Sequence, residues 1–90
     1  MNVDADARIP AIAPMFRLQW EPAQSCHVLL YPEGMVKLSA SAGEIMRRID
    51  GQRSIGAIIA ELEAAYAGAE LDDDVRNFMG QAHEHGWITL

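Results

Sequence analysis

The sequence predicts an α+β fold, winged helix-turn-helix-like, in which an N-terminal three-stranded antiparallel sheet is followed by three helices. Three observations predict it. The chain has 90 residues, half of them hydrophobic, which is enough for one core and too little to divide between two. Apolar residues alternate with a period of two between Met15 and Leu38, as in strands with one buried face. Past Leu38 the period lengthens to about 3.6, and Gly-containing breaks cut the remainder into three helix-sized pieces.

Residues 1–14 carry Pro10 and Pro14, several Ala and no sustained period, and read as an extended or mobile arm ahead of a domain spanning 15–90. Phe16, Leu18 and Trp20 then fall on one face of a first strand, with Met15, Arg17 and Gln19 on the other. Glu21-Pro22-Ala23-Gln24 reads as a turn, and Cys26 to Tyr31 is a nearly continuous apolar run suited to a central strand. In Tyr31-Pro32-Glu33-Gly34, the fixed φ of Pro suits the second turn position and Gly tolerates a positive φ at the fourth. Met35 to Leu38 therefore returns antiparallel as a third strand, at the edge of the sheet.

Ser41-Ala42-Gly43-Glu44 matches a capping box, so a first helix is expected to start there, with Ile45, Met46 and Ile49 on one stripe and Asp50-Gly51 as its end. Ser54 caps a second helix whose Ile55, Ile58, Ile59, Leu62 and Tyr66 form a broad apolar face, with Gly68 as its stop. Asp72, Asp73 and Asp74 open a third helix, where carboxylates satisfy free amides and face the positive end of the helix dipole. Its core stripe is Leu71, Val75, Phe78, Ala82 and His85. Gly86 closes it, and the apolar tail from Trp87 to Leu90 packs back on the body.

The net charge of −6 is unevenly placed. Residues 1–60 hold six acids and six bases, whereas 61–90 hold seven acids against Arg76 alone. A third helix that begins with three Asp meets DNA phosphates with like charge, so nucleic acid is not an expected partner even though winged helices often bind it. Cys26 stands alone, which leaves no intramolecular disulfide and fits a reducing compartment. The first residues are acidic where a signal peptide is basic, and no apolar run approaches the roughly 20 residues needed to span a bilayer, so a cytoplasmic protein without a membrane segment is expected.

No catalytic signature is legible, and no cofactor or metal is expected. His83 and His85 flank Glu84, but residues two apart on a helix point about 200° from one another and do not share one ion as an i, i+4 pair does. Cys26 and His27 are neighbours on a strand and face opposite sides. The three consecutive Asp fan around the helix axis instead of converging on a cation, and capping and solubility account for them. What remains is peptide binding. The edge strand offers unpaired N–H and C=O groups to an added strand, and Asp72, Arg76, Met79 and His83 follow one another at helical spacing as a second stripe that faces a groove beside it.

Arg17-Leu18-Gln19-Trp20-Glu21-Pro22-Ala23-Gln24, the stretch Val28-Leu29-Leu30-Tyr31-Pro32-Glu33-Gly34-Met35-Val36-Lys37-Leu38, Glu44-Ile45 with Asp50-Gly51, and Asp74-Val75 with Gly86-Trp87 together resemble the PqqD family. These are the peptide chaperones of pyrroloquinoline quinone biosynthesis, and the resemblance runs from Phe16 to Ile88. It implies a recognition element of ribosomally made natural products that binds the precursor peptide PqqA and presents it to the radical S-adenosylmethionine enzyme PqqE, which owns the cofactor and the iron–sulfur clusters. It also implies peptide contacts at Met35, Val36, Lys37, Leu38, Val75, Arg76 and Met79, to which the stripe adds Asp72 and His83. A peptide carboxylate is expected near Lys37 or Arg76, away from the acidic run. Two other readings stay open: a small winged-helix regulator, and a small-ligand binder for a flat molecule such as a quinone. So does the choice between monomer and homodimer, because an extended arm is the kind of element that swaps between copies.

Overall fold

A computed structural model describes residues 7–90, and the first of these already carry a strand. β1 (Ala11–Ile12) pairs antiparallel with β5 (Ile88–Thr89), Ala11 opposite Thr89 and Ile12 opposite Ile88. Pro10 is fully buried, the Ile55 amide donates to the Arg8 carbonyl at 2.9 Å, and the Ala13 amide donates to the Trp87 carbonyl at 2.9 Å. From Arg8 onward the expected arm is therefore extended but fixed to its own body. The rest of it, residues 1–6, lies outside the described residues.

The alternating segment forms the expected meander, β2 (Arg17–Glu21), β3 (Cys26–Tyr31) and β4 (Gly34–Lys37), in the spatial order β2-β3-β4. Leu18, Leu29 and Val36 are in register and pack on the helices, Leu29 with no exposed surface. Two residues along, the rings of Phe16 and Tyr31 meet on the same face at 5.5 Å. Trp20 shares that face yet stays 51% exposed, its ring edge-on to that of its register partner His27 at 5.0 Å. Tyr31 pairs with Gly34, which leaves Pro32 and Glu33 as a two-residue loop. Gly34 does not take the positive φ expected of it; it starts β4 beneath the Tyr31 ring.

Three helices follow: α1 (Ala40–Met46), α2 (Ile55–Ala65) and α3 (Asp72–Glu84). The cap of α1 is Ser39, not Ser41; its Oγ accepts from the Ala42 amide at 3.1 Å. The Leu38 amide still donates to the His27 carbonyl, so the backbone turns at the first residue beyond the strand ladder, and the serine found there does the capping. Gly43 lies inside α1 where the helix crosses β3. A Cβ there would stand 2.8 Å from His27 Nδ1, so only glycine lets the helix sit this close to the strand. Ser54 caps α2 as predicted, accepting from the Ala57 amide at 3.1 Å, and Ile55, Ile58, Ile59 and Leu62 are buried.

Two expectations for the helix ends change. Tyr66 is not part of the α2 core face: the helix stops at Ala65, Tyr66 leaves the helical conformation at φ −118° and ψ 72°, and its side chain is 49% exposed. Gly68 completes that exit at φ +88°, a conformation with little cost for glycine alone. His85 is also not core; it is the exposed C-terminal cap of α3, stacked on Trp87 at 4.9 Å. The buried residues of α3 are Val75, Met79 and Ala82, with Leu71 and Phe78 half-buried beside them.

α1 and α2 are joined through Arg48, whose side chain is 7% exposed. Its guanidinium donates to the Glu44 carboxylate and carbonyl, both at 2.9 Å, and to Glu61 Oε1 at 3.0 Å. No buried side-chain polar atom among the described residues lacks a partner, and none of the described helices is long and apolar enough to cross a membrane.

Candidate peptide-binding cleft

The hydrogen-bond alternation of an antiparallel ladder decides which groups of β4 are free. Leu38 pairs to His27 through its amide, so in the same register Val36 and Gly34 also direct their amides and carbonyls toward β3. The amides and carbonyls of Met35 and Lys37 therefore point outward from the edge. Their side chains are exposed on the sheet face away from the helices, whereas Val36 and Leu38 turn inward, Leu38 to 7% exposure. β4 thus offers one backbone edge with two complete donor–acceptor sites at Met35 and Lys37.

Directly after β4 the chain enters the wall of a cleft of about 680 Å³. Ser39 to Ala42 at the start of α1 form one wall. Leu62 and Tyr66 at the end of α2, and Leu71, Asp74, Val75 and Phe78 of α3, form the others. Ile45 and Val75 are buried floor residues, and Phe78 and Leu71 present partly exposed apolar surface. The volume lies within the range of sites that bury small ligands or side chains. The loop that shapes the far wall is tied down by Glu63, whose carboxylate accepts from the Leu71 amide at 2.9 Å.

The electrostatics of the cleft are one-sided. Glu44 lies in its lining, but its carboxylate is held by Arg48 at 2.9 Å and by Arg47 at 3.2 Å, and the Arg48 hydrogen bond keeps it below the ordinary glutamate value of 4.5. Asp72 is engaged by Arg76, Nε to Oδ1 at 2.7 Å. Asp74 has no hydrogen-bond or ion-pair partner among the described residues. The described residues contain no group of three or more His, Cys, Asp and Glu side chains placed to hold a metal ion.

Of the residues singled out from sequence, Met35, Val36, Lys37 and Leu38 form or directly follow the free edge, and Val75 forms part of the cleft floor. The second α3 stripe does not line this cleft. Met79 is 2% exposed and belongs to the core, because α3 turns it toward the other helices. Asp72, Arg76 and His83 lie outside the cleft lining. The lining of α3 is instead Leu71, Asp74, Val75 and Phe78, displaced around the helix from the expected stripe. Their spacing of three, one and three residues was a legible alternative, and Gly68, two residues past Tyr66, marked that tyrosine as lying at a helix exit.

Comparisons with known proteins agree with this architecture. The family model for coenzyme PQQ synthesis protein D (PqqD) matches residues 26–88. A "PqqA binding protein" of Stutzerimonas stutzeri is 50% identical over 84 residues, covering 92% of this chain and 91% of that protein. Another of the same name from Pseudomonas paraeruginosa is 49% identical over a 91-residue alignment that covers 100% of this chain and 99% of the relative. The solution NMR structure of the PqqD truncation of Methylobacterium extorquens PqqCD, described as a stand-alone recognition element for ribosomally synthesized and post-translationally modified peptides, superposes with a TM-score of 0.77. It covers 94% of this chain and 93% of that one at 20% identity, and so supports the fold. The match across β3, β4 and all three helices, together with half-identical relatives along the whole length, places this chain in the PqqD family.

Proposed function

We propose that this protein is a non-catalytic peptide chaperone of the cytoplasm that binds the precursor peptide PqqA and holds it for the radical S-adenosylmethionine enzyme PqqE. The observation that carries the reading is the continuity of a free strand edge, the outward backbone of Met35 and Lys37, with an apolar cleft that begins at Ser39. A peptide added to β4 gains main-chain hydrogen bonds there. Its alternate side chains then face either the outer sheet surface or the cleft wall of α3. Relatives named for PqqA binding support the identity of the peptide. Residues 15–90 are the recognition unit in this proposal, with the preceding segment serving as an arm anchored on β5.

The test is a ¹⁵N NMR titration with synthetic PqqA. Shifts concentrated on residues 34–39 and 71–78 are expected, and an unchanged spectrum at saturating peptide overturns the reading. Presentation to the enzyme is tested by size-exclusion chromatography of the chain with PqqE, with and without PqqA; co-elution is expected. The outer edge of β4, unpaired among the described residues, is also open to the β4 of a second copy, so any homodimer built on that edge would compete with peptide. Sedimentation velocity with and without PqqA measures that competition.

A further inference from the structure

We infer that the cleft selects a basic side chain of the peptide, a lysine or arginine two residues from an apolar one, and that Asp74 is the residue that reads it. The inference rests on the strand-addition reading above and adds to it a charge specificity. In an extended strand, residues i and i+2 face the same way and lie about 6.5–7 Å apart, so an occupant paired with β4 sends such pairs into the cleft together. One member meets the apolar floor at Ile45, Val75 and Phe78. The other must satisfy the rim.

The rim is anionic, and only part of that charge is already matched. Arg47 and Arg48 occupy the Glu44 carboxylate of the lining, and outside the lining Arg76 occupies Asp72. Asp74, in the same lining, has no partner among the described residues. Tyr66 stands in the lining as well with half of its surface exposed, and an aromatic face in a cleft that also holds a carboxylate favours a cation a second time. Lysine and arginine match both parts of such a site, because their methylene stems lie along apolar surface while their heads stay at the carboxylate. An acidic or neutral side chain at that position leaves Asp74 unmatched. The rest of the terminal third adds to the preference, since residues 61–90 carry seven acids and one base.

The experiment measures dissociation constants for full-length protein and synthetic PqqA by fluorescence anisotropy. The protein variants are Asp74→Asn and Lys37→Pro, and the peptide variants replace each basic residue singly with norleucine. Asp74→Asn is expected to weaken PqqA binding about tenfold. One peptide variant is expected to bind wild-type protein about as weakly and to lose nothing further against Asp74→Asn. Equal affinity of all the neutralised peptides for wild-type protein overturns the inference, and that outcome does not depend on how any protein variant folds. So does a loss on Asp74→Asn that is the same for every peptide. Lys37→Pro tests the underlying reading separately: it removes one outward amide without touching the β3 ladder, so wild-type affinity in that variant sinks strand addition itself. Weak binding by Lys37→Pro with no effect of Asp74→Asn sinks the cation selectivity alone.

Discussion

Glu44 is bound by two arginines at the edge of the cleft, and its state sets part of the acid sensitivity of the domain. Its carboxyl titrates below the ordinary value of 4.5, chiefly through the hydrogen bond from Arg48. A carboxylate whose pKa is depressed by folding contributes stability that is complete above its unfolded value and is lost as pH falls through the folded one. The melting temperature of Glu44→Gln should therefore fall less steeply than that of wild type as pH drops below about 4.5, as thermal melts across the acid range would record. Gly43 gives a second test at this scale. Gly43→Ala places a methyl against the His27 ring and should cost about 1–3 kcal/mol, with part of the loss recovered when His27→Ala is added. Residue chemistry was only partly legible beforehand. A serine cap for α1 was readable, but Ser39 and Ser41 compete for it, and the choice depends on where the β3–β4 ladder ends, a long-range fact.

Each helix is legible in its own apolar rhythm, and expectation and structure part at two helix ends, Tyr66 and His85, and on α3, which is covered on more than one side. α3 packs Val75, Met79 and Ala82 into the core and shows Leu71, Asp74 and Phe78 to the cleft, so its two apolar stripes lie side by side and spacing alone does not say which is buried. Ile58 of α2 has no exposed surface, and Ile58→Ala should lower unfolding free energy by about 2–5 kcal/mol in chemical denaturation. Phe78→Ala should cost less stability, because Phe78 is only half-buried, and should weaken PqqA binding more than Ile58→Ala does at temperatures where both variants remain folded. The strands were the most legible elements: Leu18, Leu29 and Val36 meet on one face as the period of two requires, and the Pro32–Glu33 loop sets the register.

Across the whole molecule, the order of three strands and three helices was readable from sequence, and the clasp between β1 and β5 was not. Two-residue strands carry too little pattern to stand out, and their partners lie at opposite ends of the chain. The clasp covers Ile88, which is 2% exposed. Deleting residues 1–12 should lower the melting temperature, by about 4–8 °C for each kcal/mol of lost burial and pairing. An unchanged melting temperature would mean that β1 adds nothing to the stability of the body.

The clasp also makes the molecule nearly a closed ring. Ala11 lies opposite Thr89, and neither β1 nor β5 contributes to the lining of the cleft. A linker that leads from β5 back into β1, with a new opening cut into the exposed turn at Ala23 and Gln24, would give a circular permutant that keeps every wall of the cleft and the whole β4 edge. By the same geometry, whatever precedes β1 and whatever follows β5 leave the body side by side, through two strands that lie outside that lining.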